Sequence, residues 1–433
     1  MIEQRKKKKK LYLTPLGILM AFVTLYSVMP LVPQLISDYL STYLYMTLLL
    51  TIVVGLVLSE SFHTLIRYIV LILPLVLFCF LNLVANDWAE DVVIWGYKTL
   101  LECLPLLFGF YLCYVKKKLL AFESGVLLFT VALTILTTVV GLIRYPSAAR
   151  ILATDLVEDT PLLRIYNLNN IGGYDFIYLL VLLYPILIYA YKHKKIKLFP
   201  AILISVAIFF CILQSEYTLA LLLFAITSVL FFVKRNFRVK NLFVLLLVST
   251  VLILIFWSQV SKLLIWISQY IESEDVRVRL LALAGGREGL DSIDDKRLTL
   301  YLRSVQTFWQ LPILGRLTPG APYAMAGNHS FLLDALAEFG MVGGVLLFIL
   351  YRKIYNLFYK PLKKDDDYGF IFWCFLLPIV LSLLNTGMWG YYLMFAAPIL
   401  IRLVRGDDPE QTTAPVAEAA PQKAPDAQPE KPS

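Results

Sequence analysis

Apolar runs of about 18 to 25 residues recur along most of this chain, and no other feature constrains its fold as strongly. Each is long enough to cross about 30 Å of hydrocarbon as an α-helix. Inside such a slab every backbone N–H and C=O must find a partner in protein, which leaves helices or closed barrels as spanning structures. A barrel would show short alternating segments, and the runs here are continuous. Hydrophobic residues make up 59% of the 433 and charged residues 16%, with a mean hydropathy of +0.73. A soluble domain carries roughly half apolar residues and about a quarter charged ones. The expected fold is therefore an all-α polytopic membrane protein.

Hydropathy predicts about twelve spans, near 13–32, 42–60, 65–85, 92–115, 119–143, 173–191, 198–214, 217–233, 242–266, 330–351, 368–385 and 387–404. Lys and Arg set the orientation. One alternating set of loops carries Arg5 to Lys10, Lys116 to Lys118, Lys192 to Lys197, Lys234 to Lys240, Arg352 to Lys364, and Arg402 with Arg405. The short loops between them, near 33–41, 86–91 and 214–216, carry neither. The positive-inside bias then places both termini of this multi-pass protein in the cytoplasm. The expected organisation is a basic cytoplasmic N-terminus over 1–12 and helices one to nine over 13–266. An extracytoplasmic loop follows over 267–329, then helices ten to twelve over 330–404. Residues 405–433, rich in Pro, Ala, Glu and Gln, read as a disordered cytoplasmic tail.

The net charge of +8 does not point to nucleic acid, because the cations gather in loops between apolar runs. The five cysteines, Cys79, Cys103, Cys113, Cys211 and Cys374, all fall inside apolar segments without metal-ligand or thioredoxin spacing, and read as small core residues. The basic start followed by an apolar run resembles a secretory signal but lacks a small-residue cleavage site, so an uncleaved first helix is expected. Asp365-Asp366-Asp367 sits among lysines and reads as a solvated charge run, and charge balance with Arg277 and Arg279 accounts for Glu272, Glu274 and Asp275. No metal site and no cofactor are expected. No Gly-x-x-x-x-Gly-Lys-Ser/Thr loop for a nucleotide occurs.

The largest polar insertion ends in Gly327-Asn328-His329-Ser330-Phe331, where a new apolar helix begins. His329 is the one histidine on the expected outer side, since His63 and His193 lie beside basic residues on the other. Imidazole is the side chain best suited to proton transfer near neutral pH. A helix start favours anions and the uncharged imidazole, so His329 is the candidate base. Ser330, Asp334 and Glu338 follow at i, i+4 and i+8 on one face, placed to orient the imidazole or line a sugar site. Upstream, 295–311 reads as an amphipathic helix capped by Asp294 or Asp295 and ended by Pro312. At 100° per residue Leu298, Tyr301, Leu302, Val305, Phe308 and Trp309 share a face expected on the membrane domain or the lipid surface. Arg297 lies on the rim of that stripe and is the better placed ligand for an anionic substrate; Arg303 points away. Gly340 and Gly344, with Gly343, form a small-xxx-small pattern expected to be structural. Lys98 and Glu102, four apart in a span, either satisfy each other or line an acceptor path, and Asp175 and Glu216 near outer helix ends carry the same ambiguity.

Lys296-Arg297-Leu298-Thr299-Leu300-Tyr301, Pro312-Ile313-Leu314-Gly315 and His329-Ser330-x9-Gly340-x-x-Gly343 together resemble the O-antigen ligase and polymerase superfamily. The likeness is strongest over 290–350, with a fainter match at Tyr166-Asn167-Leu168-Asn169-Asn170. It implies multispan enzymes with a large extracytoplasmic loop between late helices. The implied donor is a glycan on undecaprenyl diphosphate, and the implied acceptor a sugar hydroxyl on a second lipid-linked glycan. By that resemblance His329 deprotonates the acceptor while arginines hold the diphosphate, with inversion and no metal. Members often carry a Ser-Arg-Gly-like segment on a middle helix; here Gln214-Ser215-Glu216-Tyr217-Thr218 stands in its place. The role of that arginine would then fall to Arg164, Arg277 or Arg279, beside Arg297 and Arg303 as further diphosphate ligands, or this subfamily binds its donor differently. The expected activity is a glycosyltransferase polymerising repeat units, working beside a flippase and a chain-length regulator. A ligase moving finished glycan to lipid A core or another acceptor is the close rival. A transporter or flippase using Lys98, Glu102 and Asp175 is the rival of another class, and a scaffold in envelope assembly is a third.

Overall fold

The computed structural model describes residues 15–35, 104–270 and 295–406, apart from gaps at 116, 147, 153–160, 216, 234–237, 256, 316–317 and 319–325; scattered positions within 51–84 and at 277, 281 and 284 are also described. These residues form helices and turns with no strand among them. Three helical stretches are long and apolar enough to cross a membrane: Lys118–Arg144, Tyr174–Lys192 and Phe331–Leu362. The expected spans near 42–60 and 65–85 lie largely outside the described residues.

The described helices are α1 (Pro15–Val28), α2 (Leu104–Phe110), α3 (Lys117–Arg144), α4 (Pro161–Leu168), α5 (Tyr174–Lys192), α6 (Leu198–Gln214), α7 (Thr218–Ser228), α8 (Val239–Ile255), α9 (Trp257–Ser268), α10 (Asp295–Gln310), α11 (Phe331–Ile354), α12 (Tyr368–Leu384) and α13 (Ala397–Arg405). Helix α5 is the axis of the bundle. It packs against α6, α7, α12 and α13, and its residues from Phe176 to Ala190 are almost all buried. A helix apolar on every side is what a central position requires. The peripheral α3 instead leaves Phe129, Leu136, Val140 and Ile143 exposed, as a lipid-facing surface would.

Three π-helical turns, at Tyr111–Val115, Tyr355–Tyr359 and Tyr392–Ala396, meet inside this core. A widened turn frees carbonyls from the regular ladder. Two of them accept here: Leu357 O from the Tyr114 hydroxyl, and Leu393 O from the Tyr359 hydroxyl at 3.0 Å. Gly109 sits so close to the Met394 carbonyl that no Cβ would fit. Cys79, Cys113, Cys211 and Cys374 are free and buried, in keeping with core residues, and Cys103 lies outside the described residues.

One end of the bundle gathers basic loops. There His193 Nε2 lies 3.2 Å from Asp367 Oδ2, and Arg405 Nε lies 3.3 Å from Asp365 Oδ2. This corrects the reading of Asp365-Asp366-Asp367 as a solvated run, since Asp367 is 1% exposed. Neighbouring lysines concealed the partners, which come from helices remote in sequence. His193, Asp365 and Asp367 offer donor atoms within 4.8 Å of one another, a grouping that sequence spacing did not expose. Asp365 is already occupied by the Tyr189 hydroxyl, Arg405 and the Asp367 N–H, so the cluster serves as a latch joining α5, α12 and α13.

Candidate functional site

The junction between α10 and α11 carries the candidate base. Asn328 adopts φ +58°, a left-handed conformation that asparagine tolerates, and turns the chain into Ser330. Ser330 caps α11: its Oγ accepts from Leu333 N at 3.1 Å. Asp334, one turn on, holds both sides of the junction. Its Oδ2 accepts from Ser330 N at 3.0 Å, and its Oδ1 accepts from Ser304 Oγ of α10 at 2.6 Å. Ser304 Oγ in turn accepts from Gly327 N at 2.8 Å, and Phe331 N donates to Asn385 O at 2.9 Å. His329 thus projects from a short segment tied down on either side, yet is itself half-exposed. Its Nδ1 lies 2.7 Å from Asn328 O. A carbonyl only accepts, so a neutral imidazole held this way carries its proton on Nδ1 and leaves the Nε2 lone pair open.

Ser330 and Asp334 therefore build the junction, and Ser330 is fully buried. The same network resets the face of α10. Ser304 and Thr307 are buried, and the Tyr301 hydroxyl donates to Leu384 O at 2.9 Å, while Leu298, Leu302 and Trp309 are exposed. The apolar stripe does not pack on the bundle as one surface, because Ser304 must reach Asp334 and Gly327. Leu298, Leu302 and Trp309 are left for a lipid or headgroup layer, the other face expected of them.

The glycines of the 312–343 region also have a defined task. Gly340 breaks α11 with φ +59° and ψ −153°, a region open essentially to glycine alone. The break frees Met341 N to donate to Pro312 O at 2.8 Å and Val342 N to Ile313 O at 3.3 Å. A Cβ on Gly340 would stand 2.5 Å from the Ile313 carbonyl, and one on Gly315 would strike the Glu338 carbonyl. The Pro-Ile-Leu-Gly segment thus locks backbone to backbone into the kink. Among the described residues Gly344, by contrast, meets the end of Leu336 on its own helix, so within that set Gly340 and Gly315, not Gly344, make the close contacts.

Of the expected cations, Arg303 on α10, Arg164 on α4 and Arg277, beyond the end of α9, are exposed. The side chain of Arg297 and the whole of Arg279, Lys98, Glu102 and Glu216 lie outside what the structure describes.

A second feature opens near the same junction. A cavity of about 820 Å³ is lined by the end of α1, by α4, by the start of α5 and by the turn 387–392. That turn follows Asn385, whose carbonyl anchors Phe331 N. The faint Tyr166–Asn170 match explains one wall. Asn170 is 2% exposed with φ +54°, donates to Thr134 Oγ1 and Thr137 Oγ1 at 3.2 and 3.0 Å, and accepts from Leu31 N at 3.3 Å. Gly172 N donates to Thr138 Oγ1 at 2.8 Å. The α4–α5 connection is thereby pinned to α3, with Asn167 and Gly173 facing the cavity. Sequence reasoning named Asp175 but missed Trp389. Its signal was the Gly387-Met388-Trp389-Gly390 spacing, an aromatic flanked by glycines between two spans.

No protein-family model matches the chain, and no curated protein resembles it significantly.

Proposed function

We propose that this protein is a glycosyltransferase that polymerises undecaprenyl-diphosphate-linked repeat units at the outer face of a bacterial cytoplasmic membrane. About twelve spans with both termini inside complete the reading, the basic end of the bundle facing the cytoplasm. The observation that carries it is the held junction of His329, with Nδ1 on the Asn328 carbonyl and Nε2 left with its lone pair. An acceptor hydroxyl gives its proton to Nε2 as its oxygen attacks the anomeric carbon. The anomeric carbon–oxygen bond to the diphosphate breaks, and the undecaprenyl diphosphate leaves with the electron pair. The centre inverts, and no metal or covalent intermediate is needed. Guanidinium groups hold the departing phosphates through charge-assisted hydrogen bonds, Arg297 being favoured by its register and Arg164 and Arg303 by their exposure.

His329→Ala tests this. Half-exposed and bonded only to its neighbour, the side chain contributes little to folding, so the variant accumulates in membranes as the parent does. Polymer formation falls by about 10² to 10⁴-fold, the contribution of a positioned base. Retention of a full ladder of chain lengths by His329→Ala overturns the proposal. With purified protein and labelled donor, a lengthening ladder marks a polymerase, and one-step transfer to an acceptor without diphosphate marks a ligase.

A further inference from the structure

The cavity beside the 387–392 turn has a chemistry unlike that of a phosphate site. Among the described residues that line it, the one charged group is Asp175, an anion. A diphosphate inside would meet that carboxylate with no lysine or arginine in the described wall to offset it. Arg164 follows the lining residue Leu163 but is itself outside the lining. Charge sign therefore sorts the two ends of a lipid-linked glycan, with the phosphates outside the cavity.

Two polar groups of the lining residues, the Asp175 carboxylate and the buried Trp389 indole N–H, lack partners among the described residues. No hydrogen bond or ion pair among the described residues holds the Asp175 carboxylate, although it is exposed. The Trp389 indole N–H, shut off from solvent, has no acceptor among the described residues. Trp389 also carries φ +56°, an unusual backbone for so bulky a residue. Strain of this kind collects at binding sites, where the surroundings enforce it. The indole lies against Gly387, where a Cβ would stand 3.0 Å from Nε1, so the glycine makes room for it. A carboxylate only accepts hydrogen bonds, so its complement in an uncharged ligand is a donor such as a hydroxyl group.

Apart from Ser27 and Asn167, the rest of the wall is largely apolar and rich in rings. Tyr26, Tyr174, Phe176 and Tyr391 line it with Trp389, and Tyr178 bridges Tyr174 and Trp389 at centroid distances of 4.8 and 5.4 Å. Flat aromatic faces with a few placed polar groups suit a ligand that has one apolar face and a hydroxylated rim. Pro30, Pro33 and Pro105 stiffen the wall, and the volume lies within the range of about 300 to 1,000 Å³ usual for small-ligand sites.

We propose that this cavity binds an uncharged, hydroxyl-rich ligand, a sugar of the acceptor glycan, one hydroxyl of which donates to Asp175 while the apolar face of the ring lies on the aromatic wall that Trp389 helps to form. The acceptor role rests on the glycan-transfer reading; the sugar chemistry rests on the cavity alone. The full-length protein in lipid nanodiscs is titrated with neutral oligosaccharides of glucose, galactose, rhamnose and N-acetylhexosamine, with inorganic pyrophosphate as competitor. At least one saccharide binds saturably, pyrophosphate does not displace it, and Asp175→Asn or Trp389→Ala weakens binding roughly tenfold or more at an unchanged thermal midpoint. His329→Ala binds like the parent. Absence of saccharide binding, unaltered affinity in both cavity variants, or displacement by pyrophosphate overturns the proposal. A protein that binds saccharide through Asp175 yet keeps its ladder in His329→Ala refutes the catalytic reading and leaves the cavity assignment standing.

Discussion

Gly340→Ala separates two physical accounts of the glycine pattern in α11. If Gly340 and Gly344 served a close helix crossing, alanine at either would be felt comparably. The structure assigns them different work. Gly340 holds φ +59° and ψ −153°, and forcing an L-residue into that region costs about 1 to 3 kcal/mol. Its Cβ would also stand 2.5 Å from the Ile313 carbonyl and 2.8 Å from Leu314 N, backbone atoms that cannot rotate aside, an overpacking worth roughly another 1 to 3 kcal/mol. Gly340→Ala should therefore lose about 2 to 6 kcal/mol, the sum of those two terms. At Gly344 the obstacle is the far end of Leu336, which can move, and helix propensity returns up to about 1 kcal/mol. The assay is the fraction of monodisperse protein surviving a temperature series in detergent, followed by fluorescence-detected size exclusion. Gly344→Ala should track the parent or exceed it, while Gly340→Ala fails at markedly lower temperature. Equal midpoints for the two variants would refute the reasoning.

Asp334→Ala should reduce both stability and polymer yield. It strips the partners from Ser304 Oγ and Ser330 N, two bonds to a carboxylate at about 1.5 to 3 kcal/mol each before relaxation. Asp334→Asn should be milder, because the amide can accept from Ser330 N and donate to a reversed Ser304 hydroxyl; identical thermal midpoints for the two variants would count against the clamp. Glu123 in α3 is fully buried, and neither carboxylate oxygen has a hydrogen-bond partner among the described residues. Glu123→Gln keeps the shape without a buried charge and should be tolerated or stabilising, whereas Glu123→Lys should abolish accumulation in membranes; comparable loss in both would show that the carboxylate is needed.

The fold class was legible because the bilayer imposes a simple rule, a run of apolar residues per crossing, that composition reports directly. Asp295–Gln310 was legible for the same reason: period and a proline stop mark it. What its period concealed was which side packs. The hydrophobic stripe favoured Leu298 and Leu302, but burial is decided by Ser304, whose partners Gly327 and Asp334 lie 23 and 30 residues away. The acidic triplet at 365–367 failed similarly. Local composition suggested solvation, and the pairing cations and hydroxyl belong to His193, Arg405 and Tyr189 on other helices. Cavities are assembled from such distant pieces, which is why Asp175 registered only as an awkward charge and Trp389 not at all.

The two features at this end of the bundle share a structural member. Asn385 closes the start of α11 through Phe331 N, and the turn that follows it carries Gly387 and Trp389 into the cavity wall. A displacement of that turn is thus felt at the entrance to α11, beside His329, and at the proposed sugar site together. Rigid backbone serves that coupling better than side chains would. The Gly340 kink, the Asn328 turn and the Trp389 turn all sit in conformations that ordinary residues avoid, and each is fixed by hydrogen bonds or close packing to a different helix. Catalysis by proximity depends on positional precision of this kind, since a base must meet its hydroxyl within hydrogen-bond reach while the leaving group stays in line. Strain at three turns and marginal side-chain exposure at one histidine are the arrangement such a requirement would select.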